Sequence, residues 1–214
     1  MRGDMKGQLI YLPPGGQRQA PPQVVQQQGA DKYHGAVATG YDAKRENDPK
    51  WTIEQKIIEG LLDDLPEGSI ILDAPVGTGR FLPCYARKKF KILGLDKSLD
   101  MLKEAHAKGV ALDIEGDLIQ GDVRETGFPD QSVDAVINCR ITRWLSPEDC
   151  QKMFREMQRV SKDRIIWTAR VANHPHARTL ELFEDALQPG WSITDNIAGY
   201  TTDYRILVAR RGAE

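Results

Sequence analysis

Two aspartates stand at the ends of two apolar runs of the sequence, and a glycine turn follows the first of them. Residues 70–72 lead into Asp73, with Gly77 and Gly79 shortly after, and residues 91–95 lead into Asp96. A glycine turn lets the backbone approach a ligand closely. An acid at the end of the neighbouring strand can accept hydrogen bonds from ribose hydroxyls. These residues therefore predict a nucleoside site at one edge of a parallel sheet.

The residues of this turn discriminate between nucleotide ligands. A P-loop requires Gly-x-x-x-x-Gly-Lys-Ser/Thr, which the sequence lacks. A dinucleotide fingerprint requires a small residue three positions after Gly79, where this chain has Leu82. The carboxylate of Asp73 would repel phosphate and attract a cation. S-adenosylmethionine carries an ammonium, a sulfonium, a ribose and an adenine but no phosphate, so the charge pattern favours it over NAD or ATP.

With these residues the chain resembles a known family, the class I S-adenosylmethionine-dependent methyltransferases, in its small single-domain form. The resemblance covers roughly residues 48–210. The matching stretches are residues 73–79 (the glycine loop), 93–102 (the ribose-binding acid), 120–123 (the adenine-binding strand end) and 128–137 (the fourth-strand signature). Pro75 departs from the pattern, because it stands at the first glycine position of the loop. The short loops and the glutamine-rich leader are similar to those of phage-encoded members.

The resemblance implies S-adenosyl-L-methionine as the cofactor and a set of cofactor-binding residues at the strand ends. The set comprises Asp73, Gly77, Gly79, Asp96, Lys97, Asp122, Val123 and Asn138. The resemblance assigns Asp73 to the methionine part of the cofactor, Asp96 to its ribose hydroxyls, and Asp122 with Val123 to its adenine. A strand-end acid that caps the next helix is the alternative for Asp96, and an ordinary turn acid is the alternative for Asp122.

Helix and strand patterns alternate along the chain from the cap Asp48 and Pro49 onward. The predicted segments are helices from 49 towards 65 and near 80–89, 98–108, 147–160 and 176–187, and strands at 70–73, 91–96, 117–122, 133–139 and 164–170. Such alternation predicts a parallel sheet with helices on both faces. Residues 191–194 and 204–208 predict a closing hairpin. With the resemblance, the expected α/β fold is a Rossmann-like, doubly wound, mostly parallel seven-stranded sheet with an antiparallel C-terminal hairpin.

Residues 1–45 differ in composition from the rest of the chain. They are rich in glutamine, proline and glycine and contain few large apolar side chains, which predicts a disordered leader before a methyltransferase domain at 46–214. A docking arm for a partner is the functional alternative. The last residues of this stretch stand where the family often places a lid over the cofactor, and they include Tyr33, His34, Tyr41, Asp42 and Arg45.

Candidate substrate residues follow the fourth and fifth strands. Arg140 and Arg143 could hold a carboxylate or a phosphate, with a surface ion pair as the alternative for Arg140. Trp144 could stack on a planar substrate, although a core aromatic residue fits as well. His174, in the loop after the fifth strand, is a candidate for the wall of the substrate site. It could act as a general base, with an ordinary histidine at a helix start as the alternative. No further ligands with zinc-like spacing accompany His174 and His176, so no metal site is predicted.

Composition excludes several classes of protein. The length of 214 residues fits one domain, and a net charge of −2 gives no basic footprint for nucleic acid. The three cysteines are widely spaced without a Cys-x-x-Cys pair, as expected for reduced thiols. No apolar run reaches the roughly 18 residues of a membrane span, and the sequence shows no charged-then-apolar secretion signal. We therefore expect a cytoplasmic protein with no membrane partner, and a nucleic-acid partner is not indicated.

The expected activity is transfer of a methyl group by in-line displacement to a small-molecule acceptor. Such an enzyme mainly aligns the acceptor with the methyl group and excludes water from the site. The sequence identifies no catalytic base. DNA methyltransferases of the amino type carry Asp/Asn-Pro-Pro-Tyr/Phe where this chain has Asn138-Cys139-Arg140-Ile141, and the cytosine-C5 type requires Pro-Cys. The alternatives are a nucleic-acid or protein methyltransferase recruited through the N-terminal arm, and a noncatalytic protein that binds the nucleoside.

Overall fold

The structure of the chain, a computed structural model, describes residues 33–172 and 177–212. Its strands are β1 (Ile70–Asp73), β2 (Lys91–Asp96), β3 (Gly116–Gln120), β4 (Val133–Asn138), β5 (Ser161–Arg170), β6 (Trp191–Ala198) and β7 (Tyr204–Arg211). They form a single seven-stranded sheet in the order β3-β2-β1-β4-β5-β7-β6. The predicted fold is confirmed.

The strand order reverses beside β1. This strand pairs in parallel with β2 on one side and with β4 on the other, and β2–β3 and β4–β5 are also parallel. β7 runs antiparallel to both β5 and β6, as predicted for the closing hairpin. In open α/β sheets a ligand crevice forms outside the carboxyl ends of the strands at such a reversal. The carboxyl ends of β1, β2 and β4 are therefore where a site should lie.

The described residues contain six helices and one 3-10 turn, and the first two helices precede β1. They are α1 (Ala36–Thr39), α2 (Pro49–Gly60), α3 (Leu82–Arg87), α4 (Leu99–Ala111), α5 (Pro147–Val160), α6 (Leu180–Glu184) and the turn Thr142–Trp144. The main helices begin at side-chain caps, which satisfy backbone N–H groups that the first turn leaves unpaired. Asp48 accepts from the Lys50 amide at 3.0 Å, and Ser146 accepts from the Asp149 amide at 3.0 Å.

The sheet separates two apolar layers. Ile71 faces the layer that contains residues of α2, α3 and α4, whereas its neighbour Leu72 faces the layer that contains residues of α5 and α6. Adjacent strand residues point to opposite faces, so a strand covered on both sides is apolar throughout. In the second layer, the Phe154 and Trp167 rings lie 4.7 Å apart, and the Trp167 and Phe183 rings 5.3 Å apart.

Some boundaries differ from the predicted ones. α2 ends at Gly60, and residues 61–64 form a turn that still packs Leu62 against the core, which explains the helix-like spacing beyond Gly60. α6 begins at Leu180, where Thr179 caps it. Residues 1–32 and His174 with His176 lie outside the described residues. Within the described ranges, no helix has both the length and the apolarity needed to cross a membrane.

Candidate cofactor and methyl-acceptor site

A pocket lies at the carboxyl ends of β1, β2 and β4, at the reversal of strand order. Most of the site residues predicted from the sequence line this pocket, namely Asp73, Gly77, Asp96, Lys97, Asp122, Val123, Arg140, Arg143 and Trp144. Gly79 and Asn138 do not line it, and His174 lies outside the described residues. The sheet thus brings residues from four separate stretches of the chain to one pocket.

The two glycines of the loop differ in their surroundings. Both have left-handed backbone conformations, with φ of 55° at Gly77 and 73° at Gly79. A Cβ added at Gly77 would meet nothing within 4 Å, and Gly77 lines the pocket. A Cβ at Gly79 would lie 2.4 Å from a methyl carbon of Leu82 and 3.3 Å from the Ala105 Cα. Gly77 therefore leaves ligand space open, whereas Gly79 allows α3 and α4 to pack closely.

Asn138 lies behind the loop and not at the pocket wall. Its side-chain amide donates to the Ala74 carbonyl and is completely buried. The Ala74 amide donates to the Ile137 carbonyl at 2.9 Å, so strand β4 holds the start of the loop from two sides. The Ala74–Pro75 peptide bond is cis, at the position where Pro75 departs from the family pattern. In this arrangement, Asn138 supports the loop that faces the pocket.

Asp96 ends β2 with its carboxylate held by backbone groups. The Gly77 amide donates to one oxygen at 2.9 Å and the Ser98 amide donates to the other at 2.8 Å. Burial raises the pKa of Asp96 to about 6, although these backbone hydrogen bonds oppose the rise. A carboxylate oxygen can accept more than one hydrogen bond, so both oxygens keep capacity for ligand hydroxyls.

Asp73 is the more deeply buried of the two carboxyls, with 1% of its surface exposed. Burial raises the pKa of Asp73 to about 7, against the hydrogen bond that the Tyr85 hydroxyl donates at 3.1 Å. The nearby Asp96 raises it further. A cation bound in the pocket would favour the ionised form of Asp73, because an opposite charge stabilises a buried carboxylate.

Asp122 is engaged by two cations at the far end of the pocket. Lys97 lies 2.7 Å from its carboxylate, and Arg124 donates to both of its oxygens. Burial acts to raise the pKa of Asp122, but the hydrogen bonds from Arg124 and Lys97 outweigh it and hold the pKa well below the usual value. Asp122 is therefore ionised and shares its oxygens between protein donors.

Another part of the pocket lining carries arginines and aromatic rings. Arg140 follows β4 in a left-handed conformation with φ of 62°, and its amide donates to the Thr168 hydroxyl at 2.8 Å. Its side chain pairs with Glu54 of α2 at 2.9 Å. Glu54 is completely buried, so the ion pair is not the surface pair considered as the alternative for Arg140. The Arg143 guanidinium lies 4.8 Å from the Trp144 ring centre.

Glu54, Arg80 and Trp51 complete this wall, although the sequence predicted no role for them. Glu54 also pairs with Arg80, and Arg80 donates to the Trp51 carbonyl. The guanidinium of Arg80 lies 3.7 Å from the centre of the Trp51 ring, and both residues line the pocket. The position of Arg80 directly after Gly79 and the tryptophan in the first turn of α2 were available signals. Glu54 gave none, because an acid near a helix start ordinarily faces solvent.

The segment before α2 closes the pocket from the N-terminal side. Tyr33, Tyr41 and Arg45 line the pocket. The Ser98 hydroxyl donates to the Tyr33 carbonyl at 2.6 Å. Asp42 accepts from the Thr78 hydroxyl at 2.6 Å and from the Lys108 ammonium at 2.7 Å. These contacts fasten the segment to the glycine loop and to α4, at the place considered for a lid.

Comparisons with known proteins identify the family. A family model described as a methyltransferase domain matches residues 71–164. Phosphatidylethanolamine N-methyltransferase of Cereibacter sphaeroides is 31% identical over 157 residues, which are 67% of this chain and 73% of that protein. The chain belongs to the S-adenosylmethionine-dependent methyltransferases. A putative methyltransferase of Bacillus subtilis, YqeM, is 34% identical to this methyltransferase over 153 residues, covering 70% of the chain and 58% of that protein.

Solved structures agree with this methyltransferase in fold. Magnesium protoporphyrin IX methyltransferase from Synechocystis PCC 6803, solved with bound SAH, superimposes with a TM-score of 0.66 at 20% identity, over 86% of this chain and 98% of that one. The same enzyme with bound SAM gives a TM-score of 0.64. The predictions of family, enzyme class and S-adenosyl-L-methionine as the cofactor are confirmed. The roles of the individual site residues stay predictions.

The pocket of this methyltransferase suits that cofactor chemically. The open space beside Gly77 can take a ligand group. The buried carboxyl of Asp73 is complementary to an ammonium or a sulfonium, and no phosphate needs to be neutralised there. Cys139 also lines the pocket, but burial raises the pKa of its thiol well above the usual value, so it is a neutral group and not a nucleophile.

Proposed function

We propose that this methyltransferase transfers a methyl group to a small-molecule acceptor within the pocket between the β1, β2 and β4 ends and α2. The observation that carries the proposal is the division of the pocket by charge. Asp73 and Asp96 form an acidic wall that suits the cationic cofactor. Arg140 and Arg143 line another part of the pocket, with Trp144 beside them. Charge would therefore direct the two reactants to different parts of the pocket.

On the cofactor wall we assign one group of ligand atoms to each strand end. Asp73 faces the methionine ammonium, and Asp96 accepts from the ribose hydroxyls. Gly77 leaves room for the ligand beside the loop. Asp122 and Val123 take the adenine end, with Asp122 sharing its carboxylate with Lys97. Gly79 and Asn138 act through the loop that they support and not by contact with the cofactor.

When bound, S-adenosyl-L-methionine supplies a methyl group made electrophilic by its sulfonium. The chain's own task is alignment and exclusion of water, since methyl transfer requires an in-line approach of the acceptor. Tyr33 and Tyr41 cover the pocket from the N-terminal segment, with ring centres 5.8 Å apart, and Tyr41 lies 6.1 Å from Trp51. These rings exclude water without offering a base.

The contact between aromatic side chains across the opening of the pocket supports a small acceptor. The Tyr33 ring lies 6.3 Å from the ring of Trp144, so the N-terminal segment and the turn after β4 meet across the opening. An acceptor side chain of a protein, or an acceptor base of a nucleic acid, would have to pass between this segment and this turn. Named relatives include enzymes for a phospholipid and for a malonyl acyl-carrier protein, and the carrier-protein enzyme is 32% identical over 44% of this chain.

Calorimetric titration with S-adenosylhomocysteine tests the cofactor half of the proposal. The full chain should bind it, and Asp96→Ala should lose most of that affinity because the ribose hydroxyls lose their carboxylate. Asp63→Ala removes an exposed aspartate outside the pocket and should bind as the wild type does. Equal affinity in Asp96→Ala and the wild type would refute the assignment of Asp96.

Transfer of a labelled methyl group tests the acceptor half. The enzyme would be incubated with labelled S-adenosylmethionine and a cell extract separated by ultrafiltration into small molecules and macromolecules. We expect label in an extractable compound from the small-molecule fraction. Label confined to protein or nucleic acid would overturn the small-molecule proposal and leave the assigned cofactor site intact.

A further inference from the structure

Four arginines line the pocket, namely Arg45, Arg80, Arg140 and Arg143, and we call them the arginine wall. This wall carries more positive charge than the acidic side chains that pair with it can neutralise. Glu54 is one carboxylate shared by two guanidinium groups, those of Arg80 and Arg140. The ion pairs formed among the described residues include none for Arg45 or Arg143, which instead lie over the rings of Tyr41 and Trp144. Arg45, Arg80 and Arg140 are half-buried, whereas Arg143 is exposed. An excess of half-buried positive charge is costly unless a ligand balances it.

Arg140 is the member of this wall with an unused donor. Its Nε donates to both Glu54 oxygens, at 2.9 and 3.2 Å. Its Nη2 is buried and has no hydrogen-bond partner among the described residues. Arg80 differs, because Glu54, Gln55 and the Trp51 carbonyl occupy all three of its nitrogens. A buried donor without a partner costs free energy, and a ligand atom that accepted a hydrogen bond from it would remove that cost.

The position of Arg140 is held from two sides. Its left-handed backbone is fixed by the hydrogen bond to Thr168, and its side chain is fixed by Glu54. The guanidinium lies 4.9 Å from the ring centre of Trp51, in the same aromatic wall. A guanidinium held in this way is preorganised, so little side-chain entropy is lost when an anion binds to its free edge.

We propose that the methyl acceptor is a planar organic oxyanion, whose charged group binds the free edge of Arg140 and whose ring packs among the aromatic side chains of the pocket. This inference rests on the proposed function, since it concerns the acceptor side of the same site. A carboxylate and a phosphate share the required chemistry, because each accepts charge-assisted hydrogen bonds from a guanidinium. Tyr33, Tyr41, Trp51 and Trp144 supply the rings.

The test compares three ligands that share one ring system. The full chain, saturated with S-adenosylhomocysteine, is titrated with 2-naphthoate, 2-naphthyl phosphate and neutral 2-naphthamide. We expect at least one anion to bind roughly tenfold or more tightly than the amide, as a charge-assisted hydrogen bond provides. A preference for naphthoate identifies a carboxylate, and a preference for the naphthyl phosphate identifies a phosphate. Equal affinities, or no binding of any of the three, would overturn the proposal.

Variants assign the effect to Arg140. Arg140→Gln should reduce the affinity for the preferred anion to that for the amide, and Arg140→Lys should restore it only in part, because lysine keeps the charge and loses the planar fork. Arg155→Gln, on the exposed face of α5, is the matched control. An unchanged anion affinity in Arg140→Gln would refute the assignment.

Two further measurements separate the possible failures. Absence of S-adenosylhomocysteine binding in the wild type would refute the proposed cofactor site itself, whereas cofactor binding without anion preference refutes only this inference. Added salt should weaken binding of the anion by the wild type and leave the amide unaffected, because salt screens charges. This measurement needs no variant, so it remains decisive if the Arg140 variants fail to fold.

Discussion

Gly77 and Gly79 stand in one loop with similar backbone angles, yet the protein needs them for different reasons. The space beside Gly77 is open and belongs to the pocket, whereas the space beside Gly79 is filled by Leu82 and Ala105. Substitution at either position forces a side chain into a left-handed conformation. The consequences for ligand binding should differ, because only one of the two side chains would enter the pocket.

Gly77→Ala should lose affinity for S-adenosylhomocysteine by roughly tenfold or more, since its methyl group enters the space reserved for the ligand and the loop is strained. Gly190→Ala is the matched control, because Gly190 also has a positive φ, 82°, with nothing within 4 Å of an added Cβ. Both variants should lose about 1 kcal/mol of unfolding free energy. Calorimetry and denaturant titration measure the two effects.

The expected result is therefore a loss of stability in both variants and a loss of affinity in one. A Gly77→Ala protein that binds the ligand as tightly as the wild type would show that the open space lies outside the cofactor site. Equal loss of affinity in Gly190→Ala would trace the effect to stability alone.

Among the elements, the N-terminal segment is tied to the rim of the pocket by polar contacts of Tyr33, Gly35 and Asp42. Asp42 alone joins it to both the glycine loop, through Thr78, and α4, through Lys108. If the segment acts as a lid, it must release these contacts to let ligand enter or leave. Lid opening often limits the rate of ligand release.

Asp42→Ala should accelerate dissociation of S-adenosylhomocysteine, by roughly thirtyfold if the two lost side-chain bonds each contribute about 1 kcal/mol to the closed form. Stopped-flow fluorescence can follow release, because Trp51 and Trp144 both line the pocket. Glu46→Ala changes an exposed acid of the same segment and should dissociate at the wild-type rate. An unchanged rate in Asp42→Ala would refute a gating role for the segment.

Elements with local signals at both ends were predictable from the sequence. α5 spans Pro147–Val160 as predicted, because Ser146 caps it, Pro147 suits its first turn and its apolar residues recur at helical spacing. α6 was predicted too long, since the cap Thr179 lies inside the predicted range. The strand-end aspartates were predictable because each follows an apolar run that can only be a buried strand.

The arginine wall was predictable only in part. Arg140 was recognised by its place after the fourth strand, but its partner Glu54 lies 86 residues away in sequence. Glu54 and Arg80 are 26 residues apart. Ion pairs between residues so far apart in sequence depend on how α2 packs against the folded sheet. The local sequence around Glu54 does not predict that packing.

At the scale of the whole molecule, the reversal of strand order places two carboxyls in an apolar interior. The pKa of Asp73 is raised to about 7 and that of Asp96 to about 6, in both cases mainly by burial, from an ordinary value of 3.8. The folded protein therefore binds more protons than the unfolded chain across this range. The stabilising contribution of the two groups is fully present below the unfolded pKa and is lost as pH rises through the folded values.

The ligand-free protein should consequently lose unfolding free energy through Asp73 and Asp96 as the pH rises from about 4 to about 7. On the assigned geometry, the ammonium of S-adenosylhomocysteine stabilises the ionised form of Asp73. The ligand should then raise the melting temperature more at about pH 8 than at about pH 5, because only the ionised carboxylate attracts it.

Thermal melts of the free and the saturated protein across this range measure both quantities. In Asp73→Asn the pH-dependent decline of the free protein should be smaller than in the wild type, whereas Asp63→Asn, an exposed site, should follow the wild type. A ligand effect of equal size at both pH values would show that Asp73 does not meet a cationic group. The acidic wall would then serve the loop and the ribose alone, and the charge division of the pocket would have to be explained from the arginine side.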